Sequence, residues 1–352
     1  MKNLPLELYL EDLENRIDEN IESELFADWL EFAEGNHKGG KYVPGRPEES
    51  RMRIKWPEIN ITNALEDYDL MTLSQYASCS ECLKNGRGEL LCVRANYGTS
   101  ILPSLFGVEL FIMDEKYNTL PTSKPLSGGT EALKKLIDRG VPDIYGGYGE
   151  KVFEMGRRFK NIAKTYPKIG RHVHVYHPDL QGPMDICEVL AGSGIFYMIM
   201  DEPELFSGLL SLITETYIKF MKEWQKIWEY NGKYAVHWGW LHKGCIMMRN
   251  DSLMNLSPSI YEEFIMPYDQ KLFDAFGGGA MHFCGRGDHF IDLAANLEGL
   301  YAVNMSQPEY NNLEKIFKNT VQKGIPILNF REEAAAGYPD CLGELQNLVH
   351  CP

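Results

Sequence analysis

The feature that most constrains this chain is an alternation that sets in after residue 86. Short runs rich in β-branched and aromatic residues take turns with longer segments of helical spacing. Eight strand candidates stand out: Glu89–Ala95, His172–Tyr176, Ile195–Met200, Tyr234–Trp240, Ala280–Cys284, Leu300–Met305, Ile325–Phe330 and Leu348–Cys351. Helical segments lie between most of them. They cover Gly149–Tyr166, Met184–Leu190, a long stretch from Asp201-Glu202-Pro203 to about Trp228, a segment opened by Ser257-Pro258-Ser259-Ile260, and Asn311–Lys323. Proline in a first turn and serine at a cap are helix-start signals. In the last segment Leu313, Ile316, Phe317 and Val321 recur at helical spacing. Eight strands alternating with helices are what a (β/α)8 barrel requires. A doubly wound sheet is the other arrangement, but no GxGxxG follows any strand. Residues 1–86 read as an N-terminal helical extension, with a Gly-rich break at Gly35–Gly45, and residues 87–352 as the barrel.

Charge and cysteine usage narrow the partners. A formal net charge of −15 argues against a nucleic-acid backbone or an anionic membrane as the main partner, because both attract basic surfaces. The acidic, helically patterned start lacks the basic head and apolar core of a signal peptide. No run reaches the roughly 18 consecutive apolar residues of a membrane span. A cytoplasmic setting follows as the expectation, with the eight cysteines as thiols or metal ligands rather than disulfides. Cys79-Ser80-Glu81-Cys82 is a lone CxxC on a helical segment, without the second pair of a four-cysteine zinc site.

In a barrel of this kind the chemistry gathers at the C-terminal ends of the strands. Those ends offer Arg94, Asn96 and Tyr97; His174, His177, Asp179 and Gln181; His237, Trp238 and Trp240; His282 and Cys284; Asn304; and His350 with Cys351. Residues two apart on a strand share a face. His282 and Cys284 therefore project together, and both are ligand types that zinc favours. The eighth strand lies across the mouth from the fifth, so Cys351 is the expected third ligand, with Cys341 or a carboxylate as the substitute. A strand cysteine is also an ordinary buried hydrophobe, and Asp201 and Asp251 begin helices, where capping is the usual duty. His237, His177 and Asp179 are candidates for proton supply or substrate positioning. Asn96, Tyr97, Trp238, Trp240 and Asn304 are candidates for framing the substrate.

The residues also carry a family resemblance. Ser257-Pro258 through Pro267-Tyr268, then His282-Phe283-Cys284-Gly285, resembles the second half of uroporphyrinogen decarboxylase-like proteins. So does Asp179-Leu180-Gln181-Gly182-Pro183, with Gly192 and Asp201-Glu202-Pro203 after it. The resemblance spans roughly residues 85–352 and implies a (β/α)8 barrel. True decarboxylases of that superfamily carry an Arg-Gln-Ala-Gly-Arg-type segment after the first strand, where this chain reads Arg94-Ala95-Asn96-Tyr97-Gly98-Thr99-Ser100. The His-x-Cys-Gly motif is instead similar to the zinc- and corrinoid-dependent methyltransferases. That branch implies a methyl group moved between a small methylated ether, amine or thiol and a corrinoid protein, with zinc as Lewis acid. The corrinoid would be supplied by the partner, and a homodimer is compatible with the fold. The alternatives are a metal-free decarboxylase and a corrinoid- or metal-binding protein without turnover.

Overall fold

The computed structural model describes residues 5–48, 54–230, 232–335 and 343–352. Among the described residues ten strands are formed: β1 (Cys92–Val93), β2 (Leu110–Phe111), β3 (Thr122–Ser123), β4 (His174–Val175), β5 (Tyr234–His237), β6 (Trp240–Lys243), β7 (Ile246–Arg249), β8 (Gly279–Phe283), β9 (Leu300–Met305) and β10 (Ile327–Leu328). Strands β7, β8, β9 and β10 lie side by side in a parallel sheet, and β1 pairs in parallel with β4. β2–β3 and β5–β6 are antiparallel hairpins. The chain end adds parallel bridges from Val349 to Ile327 and from His350 to Tyr42. The architecture is a mixed α/β fold with parallel sheets.

Both faces of the four-stranded sheet are covered, as parallel sheets require. On one face Met247, Ala280, Ala302 and Leu328 meet Val236 and Leu241 of the β5–β6 hairpin and Trp29 and Phe32 of the helix Glu19–Ala33. Two alanines in that row leave room for the hairpin and the indole of Trp29. On the other face Ile246, Met248, Met281, Phe283 and Val303 join the larger core built with the surrounding helices. Leu10, Leu13 and Tyr76 belong to this larger core, so the N-terminal helices share it with the sheet.

Two stretches differ from the sequence reading. Ile195–Met200 is not a strand but part of the helix Ile195–Asp201. Its buried residues Ile195, Met198 and Ile199 fall at helical spacing, while Tyr197 and Met200 face outward. A six-residue apolar run does not by itself separate the two patterns. The single strand expected at Tyr234–Trp240 is instead a hairpin, and Tyr234–Arg249 forms three strands joined by tight turns at Gly239 and Gly244. Trp238 and Gly239 both have positive φ, +51° and +86°, the signature of a type I′ hairpin turn. A Cβ on Gly239 would lie 2.4 Å from Cβ of Glu89, so glycine is required there.

Pro183–Asp201, with mean hydropathy 1.3, is the one helical stretch among the described residues long and apolar enough to cross a membrane. A 3-10 turn at Gly192–Gly194 interrupts it, and its Asp185 is tied to the backbone of Asp251 and Ser252.

Candidate metal centre

Strand register brings three polar side chains into one row at the C-terminal ends of the sheet. Arg249 on β7 pairs with His282 on β8, which pairs with Asn304 on β9. Asn304 donates its amide N–H to the carbonyl of Leu328 at 2.7 Å, which leaves its Oδ1 as an acceptor facing His282. Nδ1 of His282 lies 2.6 Å from that oxygen and therefore carries the proton. Nε2 is left as the unprotonated, accepting nitrogen. It lies 3.5 Å from Sγ of Cys284 and 3.6 Å from Oδ1 of Asp251.

These separations are those of a coordination shell. Arms of about 2.0–2.1 Å to nitrogen or oxygen and about 2.3 Å to sulfur, at tetrahedral angles, put neighbouring ligand atoms about 3.3–3.6 Å apart. Asp251, His282 and Cys284 have one ligand atom each within 4.8 Å of one another, and they form the cluster of this kind among the described residues. A carboxylate–imidazole–thiolate set with two anionic members suits a divalent cation and leaves a fourth position for water or substrate.

The surroundings hold each ligand in place. Asp251 opens the 3-10 helix Asp251–Asn255 that follows β7, and the buried carboxylate of Asp185 accepts from the backbone N–H groups of Asp251 and Ser252 at 3.0 and 2.8 Å. Oδ1 of Asp251 accepts from the backbone N–H of Cys284 at 2.8 Å, which links two of the three ligands directly. Ser306 Oγ lies 3.5 Å from Sγ of Cys284. Burial pushes the Cys284 thiol up to about 11 and holds His282 below the usual histidine range. The protein alone thus presents a thiol and a neutral imidazole; a divalent cation displaces the thiol proton on binding.

A second polar group stands beside this cluster. Asp179 receives Arg249 on one oxygen and Arg94 on the other. Burial works to raise the Asp179 carboxyl, but the two guanidinium groups outweigh it and hold it down at about 2. The Arg249 guanidinium lies over the Trp238 indole, 4.5 Å from the ring centre, and the same indole meets His282 edge-on at 5.2 Å. Gly182 lets the segment after Asp179 lie tight against the end of β7, because a Cβ there would lie 2.2 Å from Oδ1 of Asn250 and 2.7 Å from the Arg249 carbonyl.

Among known proteins, no family model matches the sequence, and no curated protein matches it. Among solved structures, the fold is similar to a methyltransferase from Methanosarcina mazei, with a TM-score of 0.60. The likeness covers 87% of this chain and 82% of that one at 14% sequence identity. It speaks for the fold alone.

The expected site residues divide into two groups. His282, Cys284, Asn304, Trp238 and Asp179 come together around the metal centre and its arginine pair. Asn96 lines a cavity shared with Arg94, Tyr176 and Trp238. The others lie elsewhere. Cys351 is not in the ligand cluster, where Asp251 takes the third place. Strand alternation explains this: His350 turns inward against Trp29 and Tyr42, so Cys351 faces the outer core. Cys341 falls outside the described residues.

His177 is engaged at both nitrogens, with Nδ1 2.6 Å from the Pro178 carbonyl and Nε2 accepting from the backbone N–H of Met247. It fills a gap in backbone pairing beside β7 and has no free atom for proton transfer. His237 is fully buried, with its Nδ1 donating to Nε2 of His242 at 2.8 Å, since Nδ1 of His242 faces the Lys243 carbonyl. Tyr97 packs on Tyr148 in the core, and Trp240 packs beside Trp238 and His350. Gln181 supports Asp185 from 3.3 Å, and His174 stacks on Phe26. Sequence reasoning missed Asp251 as a candidate ligand and Arg249 altogether, because β7 was not recognised. Had it been, Arg249 and Asp251 would have stood at a strand end like the rest.

Proposed function

We propose that the chain is a methyltransferase of the zinc- and corrinoid-dependent branch of the uroporphyrinogen decarboxylase-like superfamily, built on its (β/α)8 barrel. It moves a methyl group between a small methylated substrate and a corrinoid carried by a partner protein in the cytoplasm. The observation that carries this reading is the Asp251–His282–Cys284 cluster with its imidazole tautomer already set by Asn304. The fold likeness to the Methanosarcina mazei methyltransferase supports the same class.

When bound, zinc supplies Lewis acidity that polarises the heteroatom bearing the methyl group. The chain's residues do the rest. Asp251 and Cys284 balance the charge of the cation, and Asn304 keeps Nε2 of His282 available. Asp185 fixes the turn that carries Asp251. Asp179 stays ionised between its two arginines, so it orients them rather than supplying protons. Trp238 gives the substrate side a flat apolar wall.

Elemental analysis of protein purified without added metal tests the centre. About one zinc per chain is expected, lost in Cys284→Ala and in Asp251→Ala and kept in Cys351→Ser. Zinc retained in Asp251→Ala but lost in Cys351→Ser would return the third place to the cysteine. Methyl transfer to free reduced cobalamin, followed by its visible absorbance with methyl ethers, amines and thiols as donors, tests the activity. A zinc-loaded protein that moves no methyl group from any donor overturns it.

A further inference from the structure

The end of the β5–β6 hairpin opposite the turn that carries Trp238 borders a cavity, and none of the residues lining it belongs to the metal centre. Strands β4 and β5 lie in different sheets and are not hydrogen-bonded to each other. Between them is a space of about 240 Å³, with Val173–Val175 on one side and Tyr234–Val236 on the other. Rings make up much of the rest: Phe26, Trp228 and Tyr230 join His174 and Tyr234 around it.

His174 stands apart in this wall. Its ring stacks on Phe26, with centroids 5.4 Å apart and planes 12° from parallel. Neither of its nitrogens has a hydrogen-bond partner among the described residues, and the same holds for the indole N–H of Trp228. Burial pulls the His174 imidazole down to about 4, so at neutral pH it is uncharged, with one donor and one acceptor nitrogen. Polar groups withdrawn from water are nearly always paired. The charged residues of the lining are Arg171 and Glu229, opposite in sign, and Arg171 pairs with Glu19 outside the lining. The cavity therefore offers flat apolar faces, open hydrogen-bonding atoms and no excess charge.

We propose that this cavity binds an uncharged bicyclic heteroaromatic molecule, packed against its aromatic walls and hydrogen-bonded to the imidazole of His174. The size sets the bicyclic limit. Drug-sized ligands fill pockets of about 300–1,000 Å³, so 240 Å³ admits a fused ring pair rather than a larger body. Rings prefer offset-stacked or edge-to-face contacts, and a wall of several rings offers both. A charged ligand would give up its hydration for a lining with no opposite charge to spare, which selects a neutral one. A ring N–H or an aromatic nitrogen meets the open atoms of His174. This site stands apart from the methyl-transfer reading and needs no metal.

Titration calorimetry on the full chain tests the proposal with two probes of the same outline. Benzimidazole, uncharged at mildly alkaline pH, carries a ring N–H and an aromatic nitrogen; benzothiophene has neither. Both are expected to bind the wild type. His174→Phe keeps the stacked ring and removes the nitrogens, and is expected to weaken benzimidazole at least tenfold while leaving benzothiophene unchanged. His174→Gln restores a donor and an acceptor and is expected to recover part of the benzimidazole affinity. Trp228→Leu, at a partly exposed position, removes one aromatic wall and is expected to weaken both probes, so it decides the matter if His174→Phe does not fold. Absence of benzimidazole binding at millimolar concentration, or an affinity unchanged in His174→Phe or in Trp228→Leu, overturns the site. Equal loss of both probes in His174→Phe overturns the hydrogen bond to His174.

Discussion

At the scale of single residues, the centre depends on which nitrogen of His282 carries the proton, and Asn304 decides it. The Asn304 amide is itself oriented by the Leu328 carbonyl, so a side chain that touches no metal fixes the ligand. Asn304→Ala is expected to weaken zinc binding by roughly 10–100-fold, as losses of such supporting partners do. Competition with a chelator of known affinity measures it; an unchanged affinity would show that the tautomer is set by something else. The same substitution leaves the Leu328 carbonyl without its donor, at a cost of about 1–3 kcal/mol of stability. At this scale the sequence was half legible. The pair His282 and Cys284 could be read because two residues on one strand share a face. Asp251 could not, because an aspartate at a helix start has an ordinary capping role, and only the folded chain shows its carboxylate beside a thiol and an imidazole.

Among elements, the β5–β6 hairpin does the most to shape the site. It packs Val236 and Leu241 on the alanine row of the sheet and carries Trp238 at its turn to the edge of the metal cluster. A bulky residue at φ +51° is unusual, and such conformations persist only where the surroundings hold them. Here the indole is held between Arg249 and His282. Gly239→Ala is expected to lower the melting temperature by several degrees. A left-handed conformation costs about 1–2 kcal/mol for a residue with a Cβ, and the contact with Glu89 adds to that. Differential scanning calorimetry reads the effect, and a melting temperature equal to the wild type's would mean the turn can relax.

This hairpin is also where sequence reading failed. Two tryptophans around a glycine look like one continuous strand, and only the turn conformation shows that the chain doubles back. β8 and β9 were legible because each is a five- or six-residue, mostly apolar stretch bounded by glycine or polar residues. The apolar run Ile195–Met200 was of similar length and is helical, since its burial follows a period that six residues cannot display.

At the scale of the whole molecule, buried acids give opposite pH dependences. Asp269 lies fully buried, accepting from Asn250 and Tyr261 through one oxygen, and burial pushes its carboxyl up to about 8. Between about pH 4 and 8 the folded chain therefore holds a proton that the unfolded chain releases. Stability falls as pH rises through that window, by at most about 1.4 kcal/mol per pH unit from this group. Asp269→Asn is expected to flatten the decline in melting temperature between pH 5 and 8; an unchanged slope would assign the decline to other groups. Asp179 runs the other way. Its depressed carboxyl contributes stability that is complete above the unfolded value near 4 and lost as pH falls towards 2.

The division of the chain has a consequence for how such a protein can change. The three candidate ligands and the partners Asn304 and Ser306 all lie between residues 251 and 306. Arg94 and Asp179, with the cavity residues Asn96 and Tyr176, come from the stretch between residues 94 and 179. New preferences can therefore arise by variation before residue 180, with the ion-binding segment inherited intact. A descendant of this chain could change what it takes in without relearning how to hold its metal.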